Sequence, residues 1–220
     1  MVGMKKNLNP ADEALVWEKI KEEHVVCDEW IDFRKTAYRM PDGTVFDPFY
    51  SYSRRSYVVI VAQTADGRFL CVRQFRPGVE RVTVEFPAGG IERTDGREYA
   101  LRSSLSGQAD REPSAGALPA SSEDALETAK RELAEETGHV SDDWTHLLTI
   151  PSNATIADNY AHLYLARNCR PHAETHLDET EFLTVETYST REIEDMIANS
   201  AFEQAMHVTA WLLAQRILQP

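Results

Sequence analysis

Cysteine is scarce in this chain. There are three in 220 residues, Cys27, Cys71 and Cys169, widely spaced and without a C-x-x-C pair. That number and spacing argue against a disulfide framework or a zinc site, and the three read as reduced thiols of a cytoplasmic protein. No apolar run approaches the ~18 residues of a membrane-spanning helix. The first residues, MVGMKKNLNPADEALVW, carry two lysines but no apolar core and no small-residue cleavage site, so no signal peptide is expected. Positive charge is also short: 23 Lys and Arg stand against 36 Asp and Glu, a net charge of −13. Such a surface disfavours non-specific binding to nucleic acid or membrane. It leaves a phosphorylated small molecule open as substrate, because bound metal ions reverse the sign locally. No internal repeat is visible and no Ser or Cys sits in a nucleophile context. His24 and His207 stand alone and read as structural or solvated.

What is present is a core's worth of apolar residues, 42% of the chain, enough for one sizeable domain or a domain with a small extension. The informative stretch is 123–139, EDALETAKRELAEETGH. Wound at about 100° per residue, it places Glu132, Glu135 and Glu136 within one face roughly 100° wide. Leu126, Ala129 and Leu133 take a face that can pack on a core. Glu127 precedes Arg131 by four, the favourable order for a helical ion pair. Ser121 or Ser122 is placed to cap the start, and Gly138 to stop the helix. Three acids on one face repel each other, and a hard divalent cation taking oxygen ligands would offset that cost. The plain alternative is a solvated acidic helix.

The spacing of Arg131, Glu132, Leu133, Glu135, Glu136 and Gly138 resembles the core of the Nudix box, G-x5-E-x7-R-E-U-x-E-E-x-G-U. Glu123 matches its first acid. Upstream, residues 85–90, EFPAGG, resemble the segment that opens the box in the branch acting on ADP-ribose and nucleoside-diphosphate sugars. Two departures stand out. Glu123 follows Gly89 by 34 positions where the pattern has six, so 28 extra residues lie in the box loop. The last aliphatic position holds His139. Lengthening a loop is cheap, about 0.6 kcal/mol per doubling, so the helix can stay intact. The insertion, 93–120, is rich in Ser, Gly, Ala and charge; it reads as a surface excursion, with a substrate lid as the sharper alternative.

In chain order, Asn9-Pro10 opens an expected amphipathic helix to about Lys21, with Leu15, Trp17 and Ile20 as packing candidates. Strands are expected at 24–30 and 33–40, then a turn at 41–44 and a return over 46–50. This N-terminal β-rich extension, residues 1–55, is distinguished from a catalytic domain at 56–220. Strands follow at 57–63, 69–73 and 82–86, the last delivering the 87–90 turn. After the helix come strands at 147–150, 161–166 and 182–187. Ser189 and Glu192 form a capping box for a helix to about Asn199. A terminal helix spans 202–218, with Phe202, Met206, Trp211, Leu212 and Ile217 available to pack. The class is α/β, an α/β/α sandwich on a mixed sheet, as the resemblance also implies.

The resemblance further implies a metal-dependent hydrolysis of a nucleoside diphosphate linked to another group, with Mg²⁺ or Mn²⁺ as cofactor. Glu132, Glu135 and Glu136 would hold metal, joined by the carbonyl of Ala88, while Arg131 orients the glutamates and Glu123 is an outer ligand or structural partner. Arg76, in QFRP, would hold diphosphate. Trp30 would stack the adenine, and the extension would be exchanged within a homodimer. The acidic loop 177–181 would supply the base, Glu181 first and Glu179 second. In the ADP-ribose branch a Pro-Gly pair follows the box by about fifteen residues, whereas here Pro151 comes earlier and Ser-Asn follows it. ADP-ribose hydrolysis to AMP and ribose 5-phosphate is the leading expectation. Other nucleotide-sugar or dinucleotide pyrophosphatases, and a non-catalytic nucleotide sensor, are the alternatives.

Overall fold

The computed structural model describes residues 10–28, 30–92, 124–172 and 182–218. The expected insertion at 93–120, Glu123 and the acidic residues 177–181 lie outside them. The chain divides into two compact units. One takes the chain up to Arg54 together with Asn153–Asp158; the other begins at Arg55 and holds the remaining described residues.

In the first unit, β1 (Glu18–Cys27), β2 (Asp32–Arg39) and β3 (Val45–Ser53) form an antiparallel sheet in the order β1-β2-β3. The expected helix is reduced to one turn, α1 (Pro10–Glu13), and the strand begins six residues before the expected 24. Residues 18–23, EKIKEE, favour a helix in isolation, but here they pair along β2, with Glu18 opposite Arg39 and Glu23 opposite Lys35. Cross-strand ion pairs Arg39–Glu18 and Lys35–Glu23 follow from that register. Leu15 and Ile20 are therefore exposed rather than packed, while the Trp17 ring meets Tyr38, Phe46 and Phe49. The turn at 41–44 forms as expected, with Gly43 at φ 85°.

The second unit is built on a mixed sheet. β4 (Tyr57–Thr64) lies at its centre, parallel to β10 (Tyr160–Pro171) and antiparallel to β5 (Phe69–Arg76) and β7 (Ala88–Gly90). β6 (Arg81–Glu85) and β11 (Leu183–Tyr188) flank β5, while β8 (His139–Val140) and β9 (Asp143–Pro151) flank β10. Buried on both faces, β4 reads as a continuous apolar run and its alternation separates two cores. Val58, Ile60 and Ala62 join Ala125, Ala129 and Leu133 of α2 (Ala125–Thr137). Val59 and Val61 join Phe69, Phe86 and Trp211 on the other side, with Ile193 of α3 (Thr190–Ala198) and Ala210 and Ala214 of α4 (Ala205–Leu218). Helices thus cover both faces, the α/β/α sandwich expected. Ser189 and Glu192 form the capping box on α3. Phe202 and Trp211 are buried, but Leu212 and Ile217 point to solvent, because α4 buries only one stripe.

Candidate active site

The site is built where α2 lies against the short strand β7. Asp124 caps the helix, accepting from the Leu126 N–H at 2.9 Å, so the cap falls later than the expected Ser121 or Ser122. Gly138 ends it at φ 69°, its N–H donating to the Ala134 carbonyl. Between these stops, Ala129 and Leu133 are fully buried in the core and fix the rotation of the helix. That rotation turns Glu132 and Glu136 inward, where both are buried, and leaves Glu135 half-buried.

Each acid then meets a defined partner. The Ala88 N–H donates to Glu136 Oε2 at 3.0 Å. Glu132 lies so close to Gly89 that a Cβ there would stand 2.0 Å from its carboxyl carbon. Glycine is needed at position 89 for that approach. Arg131 Nη1 lies 2.9 Å from Glu132 Oε1 and 2.8 Å from Glu135 Oε2, and Nη2 donates to the Gly90 carbonyl at 3.3 Å. The expected Glu127–Arg131 pair does not form; Glu127 accepts from Lys130 instead, at 2.7 Å. The bundled acids capture the guanidinium because their combined negative charge exceeds that of one solvated glutamate.

Next to the 87–90 turn lies a second buried group, in which the structure joins Arg76, Glu85 and His207, an association the sequence did not show. Glu85 is fully buried at the end of β6, and Arg76 Nε donates to its Oε1 at 2.7 Å. His207 of α4 accepts the Phe86 N–H on Nδ1 at 3.1 Å, which leaves the proton on Nε2, 4.0 Å from Glu85 Oε2. Burial, and then the positive charge of Arg76, bring the His207 pKa down to about 3, so the ring is neutral. A lone His on an amphipathic helix carries no signal of this; only the packing of α4 against Phe86 does.

Trp30 lies in the β1–β2 connection of the other unit, largely exposed, with its N–H on Asp28 Oδ1. Glu179 and Glu181 are outside the described residues. The structure therefore brings together Ala88, Arg131, Glu132, Glu135 and Glu136, and pairs Arg76 with Glu85.

Comparison with known proteins bears directly on this arrangement. The NUDIX domain matches residues 53–211, most of the chain and all of the site just described. The chain belongs to the Nudix family. It is 27% identical over 180 residues to the ADP-ribose pyrophosphatase of Bacillus subtilis (strain 168), covering 79% of this chain and 78% of that protein. It is 28% identical over 171 residues to the methanol dehydrogenase activator of Bacillus methanolicus, covering 74% of each. A solved structure of an ADP compounds hydrolase superposes with a TM-score of 0.71 at 20% identity, over 92% of this chain and 94% of that one. At that identity the likeness speaks for the fold. The chain is thus a Nudix pyrophosphohydrolase, related to enzymes of the ADP-ribose pyrophosphatase type. Among the described residues, no helix is long and apolar enough to cross a membrane.

Proposed function

We propose that this Nudix enzyme hydrolyses the diphosphate of ADP-ribose, giving AMP and ribose 5-phosphate, in the cytoplasm and with Mg²⁺ as cofactor. The observation that carries the reading is the pair of buried carboxylates, Glu132 and Glu136, held against the backbone of 88–90 with Glu135 beside them. The donor set is all oxygen, which suits Mg²⁺ or Mn²⁺ and disfavours softer ions. The vacancy of a side chain at Gly89 supports the same fit, because it lets a carboxylate reach the turn. Glu132, Glu135 and Glu136 would hold the ion, with the carbonyl of Ala88 as a further ligand. Bound there, it would neutralise phosphate charge and make water more acidic.

The chain's own residues do the rest. Arg131 bridges Glu132 and Glu135 and ties them to the Gly90 carbonyl, while Glu136 is held by the Ala88 N–H, which keeps their geometry before substrate arrives. Arg76 is anchored through Nε on Glu85, and its outer nitrogens are the part suited to a diphosphate oxygen. Trp30, its ring largely exposed, would stack the adenine in the site of a second copy, the extension being exchanged within a homodimer. Glu181, or Glu179 in its place, takes the proton of the attacking water as the phosphorus–oxygen bond forms and the diphosphate bridge breaks.

The test is a panel of ADP-ribose, other nucleoside-diphosphate sugars and dinucleotides with Mg²⁺, products identified by mass. ADP-ribose should be the best substrate by kcat/KM; a clear preference for another nucleoside diphosphate would move the substrate and keep the reaction. Glu136→Gln should lower kcat by at least ~10²-fold, about 2.7 kcal/mol or more, with folding retained. Wild-type turnover in that variant at saturating Mg²⁺ would sink the assignment. Glu181→Gln and Glu179→Gln, compared across pH, identify the base as the one whose loss lowers the maximal rate ~10²–10⁴-fold with little change in substrate binding.

A further inference from the structure

The first unit brings together three side chains that the sequence leaves apart. His24 and Cys27 lie on β1 and Asp32 opens β2, with Cys27 directly opposite Asp32 in the antiparallel register. Residues three apart on a regular strand face opposite sides. Here the register shifts between His24 and Val26, and the extra residue turns His24 and Cys27 to the same side. One ligand atom from each of the three lies within 4.8 Å of the others. His24 Nδ1 and Asp32 Oδ1 are already 2.6 Å apart.

We propose that His24, Cys27 and Asp32 form a second metal site, for a borderline divalent ion of the Zn²⁺ class, separate from the glutamate face of α2. The donor chemistry differs from that face: one nitrogen, one sulfur and one oxygen select Zn²⁺ or Co²⁺ over Mg²⁺. Bond lengths of about 2.0–2.3 Å to a tetrahedral ion put ligand atoms roughly 3.3–3.8 Å apart. To reach that spacing the His24–Asp32 pair, now 2.6 Å apart, would open, and the outer limit of 4.8 Å would close. Access is graded: Asp32 is buried, Cys27 half-buried and His24 partly exposed, so an ion can enter from the His24 side. Arg34 Nη1 lies 3.8 Å from Asp32 Oδ2, the other oxygen, and also pairs with Asp158 at 3.2 Å. It thus steadies the carboxylate and leaves Oδ1 for the ion. Without an ion the His24–Asp32 hydrogen bond already ties the two strands; with one, the Cys27 thiol gives up its proton to solvent and three ligands bind them. Three protein ligands leave a fourth position for water.

The probe is Co²⁺, an optical stand-in for Zn²⁺, titrated into the full chain after chelation and with excess Mg²⁺ to fill oxygen-only sites. A thiolate-to-cobalt charge-transfer band should saturate at one equivalent and be bleached by Zn²⁺. Cys71 and Cys169 are poor sources of such a band, since burial raises both thiols, the second to about 12. Cys27→Ser should abolish the band, Glu136→Gln should keep it, and His24→Ala should weaken Co²⁺ binding at least ~10-fold. As a measurement needing no variant, Zn²⁺ should slow maleimide alkylation of Cys27, read by peptide mass. A wild type without the band, a band that survives in Cys27→Ser, or alkylation indifferent to Zn²⁺ would overturn the site.

Discussion

A methyl group at position 89 would stand 2.0 Å from Cδ of Glu132 and 2.1 Å from its Oε1. Those atoms are the far end of a flexible side chain, so the carboxylate can swing aside and the fold can survive. The expected outcome for Gly89→Ala is therefore a split between stability and rate. Denaturant midpoints should stay near wild type, while kcat/KM falls by ~10²-fold, the size of effect expected when a reacting geometry shifts by about 1 Å. Equal loss of both would mean that the turn, and not the acid, is what Gly89 supports. The same residue shows how far the sequence could be read. The spacing of Glu132, Glu135 and Glu136 announced a common face. It could not say which acids face inward, because that depends on Ala129 and Leu133 finding the core under β4. Nor could it show that Arg131 abandons Glu127 for Glu132 and Glu135, since helical spacing knows nothing of a neighbouring cluster's charge.

Elements supply the next constraint, and the junction of α4 with β6 carries a titratable one. His207 on α4 accepts the Phe86 N–H and stays neutral because it is buried near Arg76. Its pKa is lowered from 6.5 to about 3 in the folded protein. The unfolded chain binds a proton below pH 6.5 that the folded chain refuses until about pH 3. This contribution to stability is therefore complete above about pH 6.5 and is lost as the pH falls toward 3, by up to about 1.4 kcal/mol per unit. Urea unfolding between pH 7.5 and 4.5 checks it. Wild type should lose stability faster on acidification than His207→Gln, by about one proton in slope, although the variant starts lower at neutral pH for lost packing. Parallel slopes would show that His207 does not titrate with folding. The terminal helix itself was legible from its apolar spacing. What escaped was the stripe: Leu212 and Ile217 are exposed, because the covered face is set by Phe69 of β5, by Phe86 just past β6 and by Trp211 wedged against both. At the other end of the chain, local preference lost outright. Glu18 to Lys21 read as helix and form strand, for their partners lie on β2.

At the scale of the whole molecule, the first unit presents apolar side chains that its own small sheet leaves in solvent. Leu15, Val16, Trp17, Val45 and Phe46 are between 41% and 71% exposed, and Ile20 is close by in exposure at 45%. A three-stranded sheet cannot cover both its faces, so such residues need another surface to become buried. We propose a second copy of this chain as the occupant, since a two-fold axis sets like against like and asks for no charge complement. That suits a chain whose net charge of −13 would otherwise oppose self-association. The expected mass by light scattering at micromolar concentration is therefore twice the 24.9 kDa of one chain. Leu15→Glu combined with Val45→Glu adds two charges at exposed positions, so each unit should fold as before while the mass falls to that of one chain. Circular dichroism separates that outcome from unfolding. A wild type that runs as a single chain, or a dimer untouched by the double substitution, would locate the association elsewhere or remove it. An association driven by apolar surface rather than ion pairing also predicts that raising the salt leaves the expected dimer intact or tightens it, as the repulsion between two acidic copies is screened.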